Sequence, residues 1–430
     1  MKNRFIVDNK ITNKFVETYT KTTYRIIGNN KHSSIKPCHW LEQRLSTGRD
    51  NRNCYKGVFG IQSHRCLQNT PSLPFCNHQC VFCWRDIEFG SLGSEFIIEP
   101  DDPLFLIDEM IRHHKDIIKN HLPLKRYLDN YEIMIDILYY FLLNQNKTHN
   151  INSISNNIHV SKNKIERAVT LLKNQEFIKY VNSSEDTFRL DDDVNCCISS
   201  REELEKLINR ELTSPDDIMQ AHSEALVPNH AAISLDGEPL LYPRISEFVQ
   251  EFKNRNMTTF IVTNGTLPER IGKLDPLPTQ LYVTLPAPNE KIYKKICRPM
   301  IRNGWNNIMN SLNLINSISC RSVVRLTAIK DLNLNENLIN EYVKMIERAN
   351  PNFFEIKGFT LQAKALLIKE RLKTEEQIQT FFPEYDYLED LALKFEKVSG
   401  FPLIYKNKAS RDFLFAINWD KDKDPKITNI

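Results

Sequence analysis

The chain has 430 residues, 26% charged and 41% hydrophobic, with a formal net charge of +3. That length allows about two to three domains with a large core, and the composition excludes a disordered chain. So weak a positive charge does not by itself argue for a nucleic-acid partner. The longest apolar run, Ile133 to Leu143, is interrupted by Asp136 and is too short to cross a bilayer, so no membrane partner is expected. Met1-Lys2-Asn3-Arg4-Phe5 lacks the apolar core of a secretory signal, and a cytoplasmic protein is expected. In a reducing compartment cysteines serve as metal ligands or catalysts more often than as disulfides. Six of the ten lie at positions 38, 54, 66, 76, 80 and 83; Cys196, Cys197, Cys297 and Cys320 share no ligand spacing and read as small apolar residues.

In chain order, residues 1–37 read as a polar lead-in rich in Lys, Asn and Thr. Cys38-His39-Trp40 opens a segment that runs through Cys54-Tyr55-Lys56 to Ser63-His64-Arg65-Cys66. After the turn-bounded run Thr70-Pro71-Ser72-Leu73-Pro74 comes a C-x3-C-x2-C array, Cys76, Cys80 and Cys83. Three thiolates this close can hold three irons of a 4Fe–4S cluster, leaving the fourth iron open. That arrangement resembles radical S-adenosylmethionine (SAM) enzymes, in which SAM fills the open iron and one electron cleaves it. The alternative is a zinc knuckle with His78 as fourth ligand. Zinc sites usually close on paired C-x2-C units, and His78 lies inside the loop, too close to Cys76 and Cys80 for easy tetrahedral geometry.

The stretches Asn53-Cys54-Tyr55-Lys56, Gly60-Ile61-Gln62-Ser63-His64-Arg65-Cys66-Leu67-Gln68-Asn69-Thr70-Pro71 and Phe75-Cys76-Asn77-His78-Gln79-Cys80-Val81-Phe82-Cys83-Trp84-Arg85 closely resemble the tRNA 4-demethylwyosine synthase family. The resemblance implies a second 4Fe–4S cluster on Cys38, Cys54 and Cys66. It also implies that Lys56 forms a Schiff base with pyruvate. The residue chemistry agrees. A second open iron can chelate a keto acid, and a lysine amine attacks a carbonyl once its surroundings lower its pKa. Taken alone, Lys56 reads as a surface charge, and the three upstream cysteines read as buried thiols or a zinc site with His39 or His64.

An amphipathic helix is expected over Asp102 to Asn120, and about a hundred residues then precede the next barrel strand, a departure from the family. Within them, residues 124–145 read as a helix and Ile154 to Ile158 as a second. Ser161 reads as the N-cap of a third, with Ile165, Ala168, Val169 and Leu172 inward. Strand-like runs follow at 177–181 and 187–190. Helix-turn-helix plus hairpin resembles an inserted winged-helix-like α+β domain over 122–199, whose third helix carries Lys162, Lys164, Arg167 and Lys173. Such modules bind nucleic acid, or serve as interaction or purely structural units.

Beyond it, residues 200–415 alternate β-branched runs (231–235, 258–263, 280–285, 322–328 and 353–357) with helices near 243–254, 301–317, 335–349 and 386–398. With the strand before Cys76 this makes about six βα units, the pattern of an α/β fold with a partial (β/α)6 radical SAM barrel whose first part lies in residues 38–121. A polar tail over 416–430 ends the chain. Short motifs fall at the strand ends. Ser234-Leu235-Asp236-Gly237-Glu238-Pro239 resembles the element that contacts the SAM amino group, with Glu238 opposite the ammonium and Gly237 allowing close backbone approach. Thr263-Asn264 of Val262-Thr263-Asn264-Gly265-Thr266 resembles a turn beside SAM; a plain tight turn is the other reading. Pro286 stands where many relatives have aspartate, and Arg298 and Arg325 suit substrate, phosphate or ion pairing alike. Ala409-Ser410-Arg411 resembles a basic element facing tRNA.

No Gly-rich dinucleotide or flavin fingerprint occurs, so a separate electron donor of flavodoxin or ferredoxin type is expected. The resemblance thus implies a lyase-type radical SAM enzyme, expected as a monomer. It would carry two 4Fe–4S clusters and SAM, and would condense N1-methylguanosine beside the anticodon of tRNA(Phe) with pyruvate-derived carbons to 4-demethylwyosine. The rivals are another radical SAM chemistry on RNA or on a partner enzyme, and a non-catalytic zinc and nucleic-acid module.

Overall fold

A computed structural model describes residues 6–7, 10–47, 54–85, 87, 93–121, 128–144, 147–182, 187–195, 200–212 and 214–427. The chain divides into two compact units, one of residues 1–38, 53–114 and 228–430, the other of residues 39–52 and 115–227.

The larger unit is built on six parallel strands: Cys66–Thr70, His230–Ile233, Thr258–Thr263, Gln280–Thr284, Arg321–Ala328 and Phe353–Gly358. They pair in that order, as βα repetition requires, and match the expected partial (β/α)6 barrel. Helices between them bury residues spaced three and four apart. Ile245, Phe248, Val249 and Phe252 form one such stripe, and Ile339, Tyr342, Val343 and Ile346 another. The sheet stays open, because antiparallel strands extend both edges. Ser33–Ile35 and Arg25–Ile27 continue it beyond the first barrel strand. Asp412–Ala416 and Leu403–Asn407 continue it beyond the sixth.

Two stretches carry more structure than their sequence suggested. The lead-in holds the helix Asn13–Thr20 and the two edge strands, with Phe15 and Tyr19 packed on Tyr24, Leu73 and Phe75. In the tail, Trp419 lies 5.0 Å from the Phe353 ring, and Arg321 donates to the Pro425 carbonyl at 2.5 Å.

The second unit contains the helices Tyr131–Leu143, Ile151–Ile158 and Lys162–Asn174, with a three-stranded antiparallel sheet ordered His149–Asn150, Thr187–Leu190, Ile178–Asn182. Phe141, Ile154, Ile165, Leu172 and Phe188 fill its core. This is the expected helix-turn-helix with hairpin, plus a two-residue first strand too short to read from sequence. Ser161 precedes the third helix but makes no side-chain cap bond. The helix expected over 124–145 is described only as Tyr131–Leu143, and its two ends lie partly outside the described residues.

Candidate functional site

Two groups of thiols stand at the two ends of the first barrel strand. Cys66 opens that strand, and Cys76, Cys80 and Cys83 follow the turn that leaves it. Before Cys66, 3-10 turns at Tyr55–Phe59 and Ser63–Arg65 fold the chain onto the barrel interior. Tyr55, Phe59 and Ile61 there pack with Ala232, Phe260, Tyr282, Val323 and Phe353.

Within this floor the Cys66 thiol is pushed up to about 12, chiefly by burial, with Lys56 opposing and Cys38 and Cys54 adding to the rise. Cys38, Cys54, Cys66 and Lys56 are therefore gathered in one place. The Lys56 amine is 4% exposed and lies 4.9 Å from the Tyr55 ring and 5.6 Å from that of Phe260. The expectation that its surroundings lower its pKa is not met. Burial acts downward, but the neighbouring Tyr55, Cys66 and Cys54 act upward and prevail.

The downstream thiols sit in a loop tied down from several sides. Gln79 N donates to the Cys297 carbonyl at 3.0 Å, Val81 N to Ile296 at 2.8 Å, and Arg298 Nε to the Gln79 carbonyl at 2.9 Å. Arg371 donates to the carbonyls of Val81 (3.1 Å), Cys83 (2.6 Å) and Arg85 (3.0 Å). Burial drives the Cys76 thiol up to about 12, with Arg85 acting against it. The Cys80 thiol is raised first by its hydrogen bond with Cys297 and then by burial, and Cys83 by burial; Arg85 lowers both, so one guanidinium acts on all three. Its partner is buried Asp236, which burial pushes up to about 6 against the pull of Arg85, Tyr24 and the Gly237 amide.

Neither cysteine triad closes to the spacing of ligands sharing one ion. Among the described residues, the metal-type donors found within 4.8 Å of one another are His78, Cys80 and Cys297. Tetrahedral zinc holds sulfurs about 3.8 Å apart at its 2.3 Å bonds. Thiolates on different irons of a cluster stand wider, so gathered but separated thiols fit an iron–sulfur cluster better than a single zinc. His78 also meets Tyr293, its Nε2 lying 2.8 Å from that hydroxyl, and burial lowers it to about 3. Cys297, read from sequence as a plain apolar residue, proves to lie against Cys80.

Beside the loop the strand-end motifs meet through hydrogen bonds. Glu238 is 2% exposed; its carboxylate accepts from Thr263 Oγ1 (2.7 Å), Asn264 N (2.8 Å) and Leu240 N (3.1 Å). Burial raises it to about 7 against those three bonds. Gly237, at φ +73°, passes so near the Ser72 carbonyl that a Cβ would stand 2.0 Å from its oxygen. Asn264 Nδ2 donates to Asn77 Oδ1 (2.7 Å) and Asn77 Nδ2 to Thr266 Oγ1 (2.7 Å), joining the turn to the cysteine loop. Ser234 is held through its amide to the Asn69 carbonyl at 3.1 Å, and Pro239 begins a buried 3-10 turn.

The other arginines separate into structural and interior ones. Arg411 donates to the Pro383 carbonyl at 3.1 Å and covers the Phe382 ring at 4.1 Å. Arg325 is buried against Glu355 at 3.0 Å, with its guanidinium 4.0 Å from the Tyr55 ring and 4.4 Å from that of Tyr282. Lys357, paired with Asp412 at 2.9 Å, lies 4.8 Å from the same Tyr55 ring. Among the described residues, Arg325 Nε and Glu355 Oε1 are buried with no partner, so this pair leaves a donor and an acceptor unused. Asn77, Tyr293 and Arg371 were not singled out from sequence. Asn77 lies within the motif already matched, but nothing local marks Arg371.

The sequence model of the Radical SAM superfamily matches residues 70–343. A tRNA 4-demethylwyosine synthase of Pyrococcus horikoshii is 34% identical over 347 residues, 80% of this chain and 73% of the relative. The human enzyme of that name is 28% identical over 351 residues, 81% of this chain and 34% of its own length. A structure of TYW1 with a lysine-pyruvate adduct superposes with a TM-score of 0.61 at 23% identity, covering 97% of this chain and 99% of the other. A crystal structure of archaeal TYW1 gives 0.58 at 23% identity, covering 97% and 100%. With the thiols, the buried lysine and the six-stranded barrel in place, the chain belongs to the tRNA 4-demethylwyosine synthase family of radical SAM enzymes.

Proposed function

We propose that this enzyme forms 4-demethylwyosine by condensing N1-methylguanosine beside the anticodon of tRNA(Phe) with pyruvate-derived carbons, as a lyase-type radical SAM enzyme. The observation that carries the reading is Lys56, buried in the barrel floor near Cys54 and Cys66. A lysine held out of solvent beside a thiol group of this kind suits a Schiff base with a keto acid. The name of one structural relative records a lysine-pyruvate adduct on that protein.

Cys76, Cys80 and Cys83 would hold the SAM-binding cluster, and Cys38, Cys54 and Cys66 the second. A cluster on three thiolates keeps an iron open for ligand and supplies the electron that cleaves SAM. The carboxylate of Glu238 would receive the SAM ammonium, with Thr263 and Asn264 orienting it. Gly237 and Pro239 keep that backbone tight, and Ser234 stands at the same strand end. Arg325 and Lys357 approach the same Tyr55 ring as Lys56, each already paired with a carboxylate, Glu355 and Asp412. The target guanine leaves its stack in the anticodon loop to enter, at less cost than from a duplex. A separate one-electron donor completes the set.

The test is trapping. Pyruvate and borohydride are added anaerobically to the reconstituted protein, and peptides are read by mass. The expected result is an adduct at Lys56 that Lys56→Arg abolishes. With SAM, reductant and methylated tRNA, the product nucleoside should carry the mass of the tricyclic base. SAM cleavage without any Lys56 adduct would favour a different radical chemistry on RNA.

A further inference from the structure

Beside the Cys76–Cys83 loop lies a concavity of about 620 Å³, lined chiefly by Gln79, Lys294, Arg298, Pro299, Met300 and Arg302. We propose that it is the docking face for a small acidic protein carrying a low-potential one-electron centre, which reduces the cluster of that loop. The proposal rests on the reading that Cys76, Cys80 and Cys83 hold a cluster, and it adds where the electron enters.

Charge is the first ground. Residues 290–302 hold Lys291, Lys294, Lys295, Arg298 and Arg302 against Glu290 alone, a surplus larger than the +3 of the entire chain. Lys294 pairs with Glu290 at 2.7 Å, and Lys291, Lys295 and Arg302 are exposed. Local charge that exceeds the net charge of the molecule makes a field able to steer an anionic partner to this face.

Proximity is the second ground. The concavity shares Gln79 and Arg298 with the cysteine loop. Arg298 Nε bonds the carbonyl of Gln79, the residue before Cys80, and Val81 N, on the other side of Cys80, bonds Ile296. The end of the helix Glu290–Cys297 thus brackets one cluster ligand while its outer face meets solvent. An electron arriving here has a few covalent and hydrogen bonds to travel to Cys80.

The third ground is the makeup of the patch. Met300, 37% exposed, sits among the cations, the apolar centre and charged rim of a protein contact. The one aromatic side chain of the lining, Tyr293, is 1% exposed and its hydroxyl faces His78, so it offers no platform for stacking bases. A transient electron-transfer contact also needs little area. In the step itself the carrier is oxidised by one electron and the cluster reduced by one. No bond in this chain is made or broken.

The test uses the cluster-reconstituted enzyme, an acidic flavodoxin kept reduced by its NADPH-dependent reductase, and the variants Arg302→Glu and Lys294→Glu/Arg302→Glu. Calorimetry at low salt measures flavodoxin binding, and 5′-deoxyadenosine formation measures SAM cleavage. The double variant should weaken flavodoxin binding about tenfold or more and slow flavodoxin-driven cleavage to match, while dithionite-driven cleavage stays at the wild-type rate. The single variant should fall between, and added salt should erase the difference. Unchanged flavodoxin affinity in the double variant overturns the proposal, as does a loss of tRNA affinity without loss of flavodoxin affinity, which would make this an RNA surface. If dithionite supports no cleavage in the wild type, the cluster reading fails, and flavodoxin affinity still decides the surface.

Discussion

Gly237 and Gly400 have the same backbone angle, φ +73°, in different surroundings, which isolates what the Glu238 turn costs to disturb. A Cβ on Gly237 would stand 2.0 Å from the Ser72 oxygen and 2.8 Å from that of Phe75, both backbone atoms; at Gly400 nothing lies within 4 Å. Left-handed strain, about 1–2 kcal/mol for an L residue, is common to both alanine variants. So is the gain of roughly 0.4–1 kcal/mol from a stiffer unfolded chain. The contact alone separates them. The Ser72 carbonyl cannot swing aside, since it accepts from Phe75 N at 2.9 Å while the Phe75 carbonyl accepts from Glu238 N at 2.7 Å. Overpacking of about 1–3 kcal/mol plus roughly one strained hydrogen bond of about 1 kcal/mol puts Gly237→Ala some 2–4 kcal/mol below Gly400→Ala. Urea unfolding followed by far-UV circular dichroism, at matched slopes, measures the gap. Two variants within about 0.5 kcal/mol of each other would show that the turn yields easily and that Gly237 is not what places Glu238.

Three further outcomes are expected. Burial raises Glu238 to about 7 from 4.5, so between those values the folded chain holds the proton more tightly than the unfolded one, and stability falls as pH rises through that window. The loss is about 3 kcal/mol in all, and Glu238→Gln should flatten that part of a stability-versus-pH curve measured without SAM. Arg325→Met strands the buried Glu355 carboxylate, costing about 3–5 kcal/mol in denaturant unfolding. Arg325→Met/Glu355→Met should recover most of it, and a double variant as unstable as the single would show that the pair itself is not the reason. Reconstituted wild type should bind about eight irons, and either Cys38→Ala/Cys54→Ala/Cys66→Ala or Cys76→Ala/Cys80→Ala/Cys83→Ala about four, by iron analysis. A wild type that stops at about four irons would remove the second cluster.

The barrel was legible in the sequence because its strands are buried on both faces. Runs such as Phe260-Ile261-Val262 and Tyr282-Val283 mark themselves without partners. Arg25–Ile27 and Ser33–Ile35 do not, being three residues each and mixed in polarity. Ser33–Ile35 is a strand because the edge of Cys66–Thr70 is there to pair with, and Arg25–Ile27 because Ser33–Ile35 in turn offers its edge. The site divides in the same way. Cysteine spacing is local and shows at once, whereas the bonds that hold the loop come from far along the chain: Tyr293 to His78 across 215 residues, Arg371 to Val81 across 290. Gly304 also shows no local reason to be glycine. A Cβ there would meet the Tyr293 hydroxyl at 2.0 Å, the oxygen that faces His78.

The placement of the two thiol groups explains why one strand carries so much of the chemistry. Cys66 and Thr70 are the ends of a five-residue strand, about 13 Å apart at about 3.3 Å per residue. Cys76, Cys80 and Cys83 follow its upper end, while Cys54, Lys56 and Cys66 form the floor at its lower end. Along the other strands the register sets Val262 beside Tyr282, Val323 and Phe353, with Thr284, Arg325 and Glu355 one layer higher. On the function proposed above, a radical generated beside Cys76, Cys80 and Cys83 would meet a keto acid held on Lys56 across the length of that strand. Shortening that strand should leave SAM cleavage intact while uncoupling it from consumption of pyruvate. The ratio of deoxyadenosine to tricyclic product measures this directly, and a ratio unchanged by a two-residue deletion within Leu67–Asn69 would show that the strand is not the spacer.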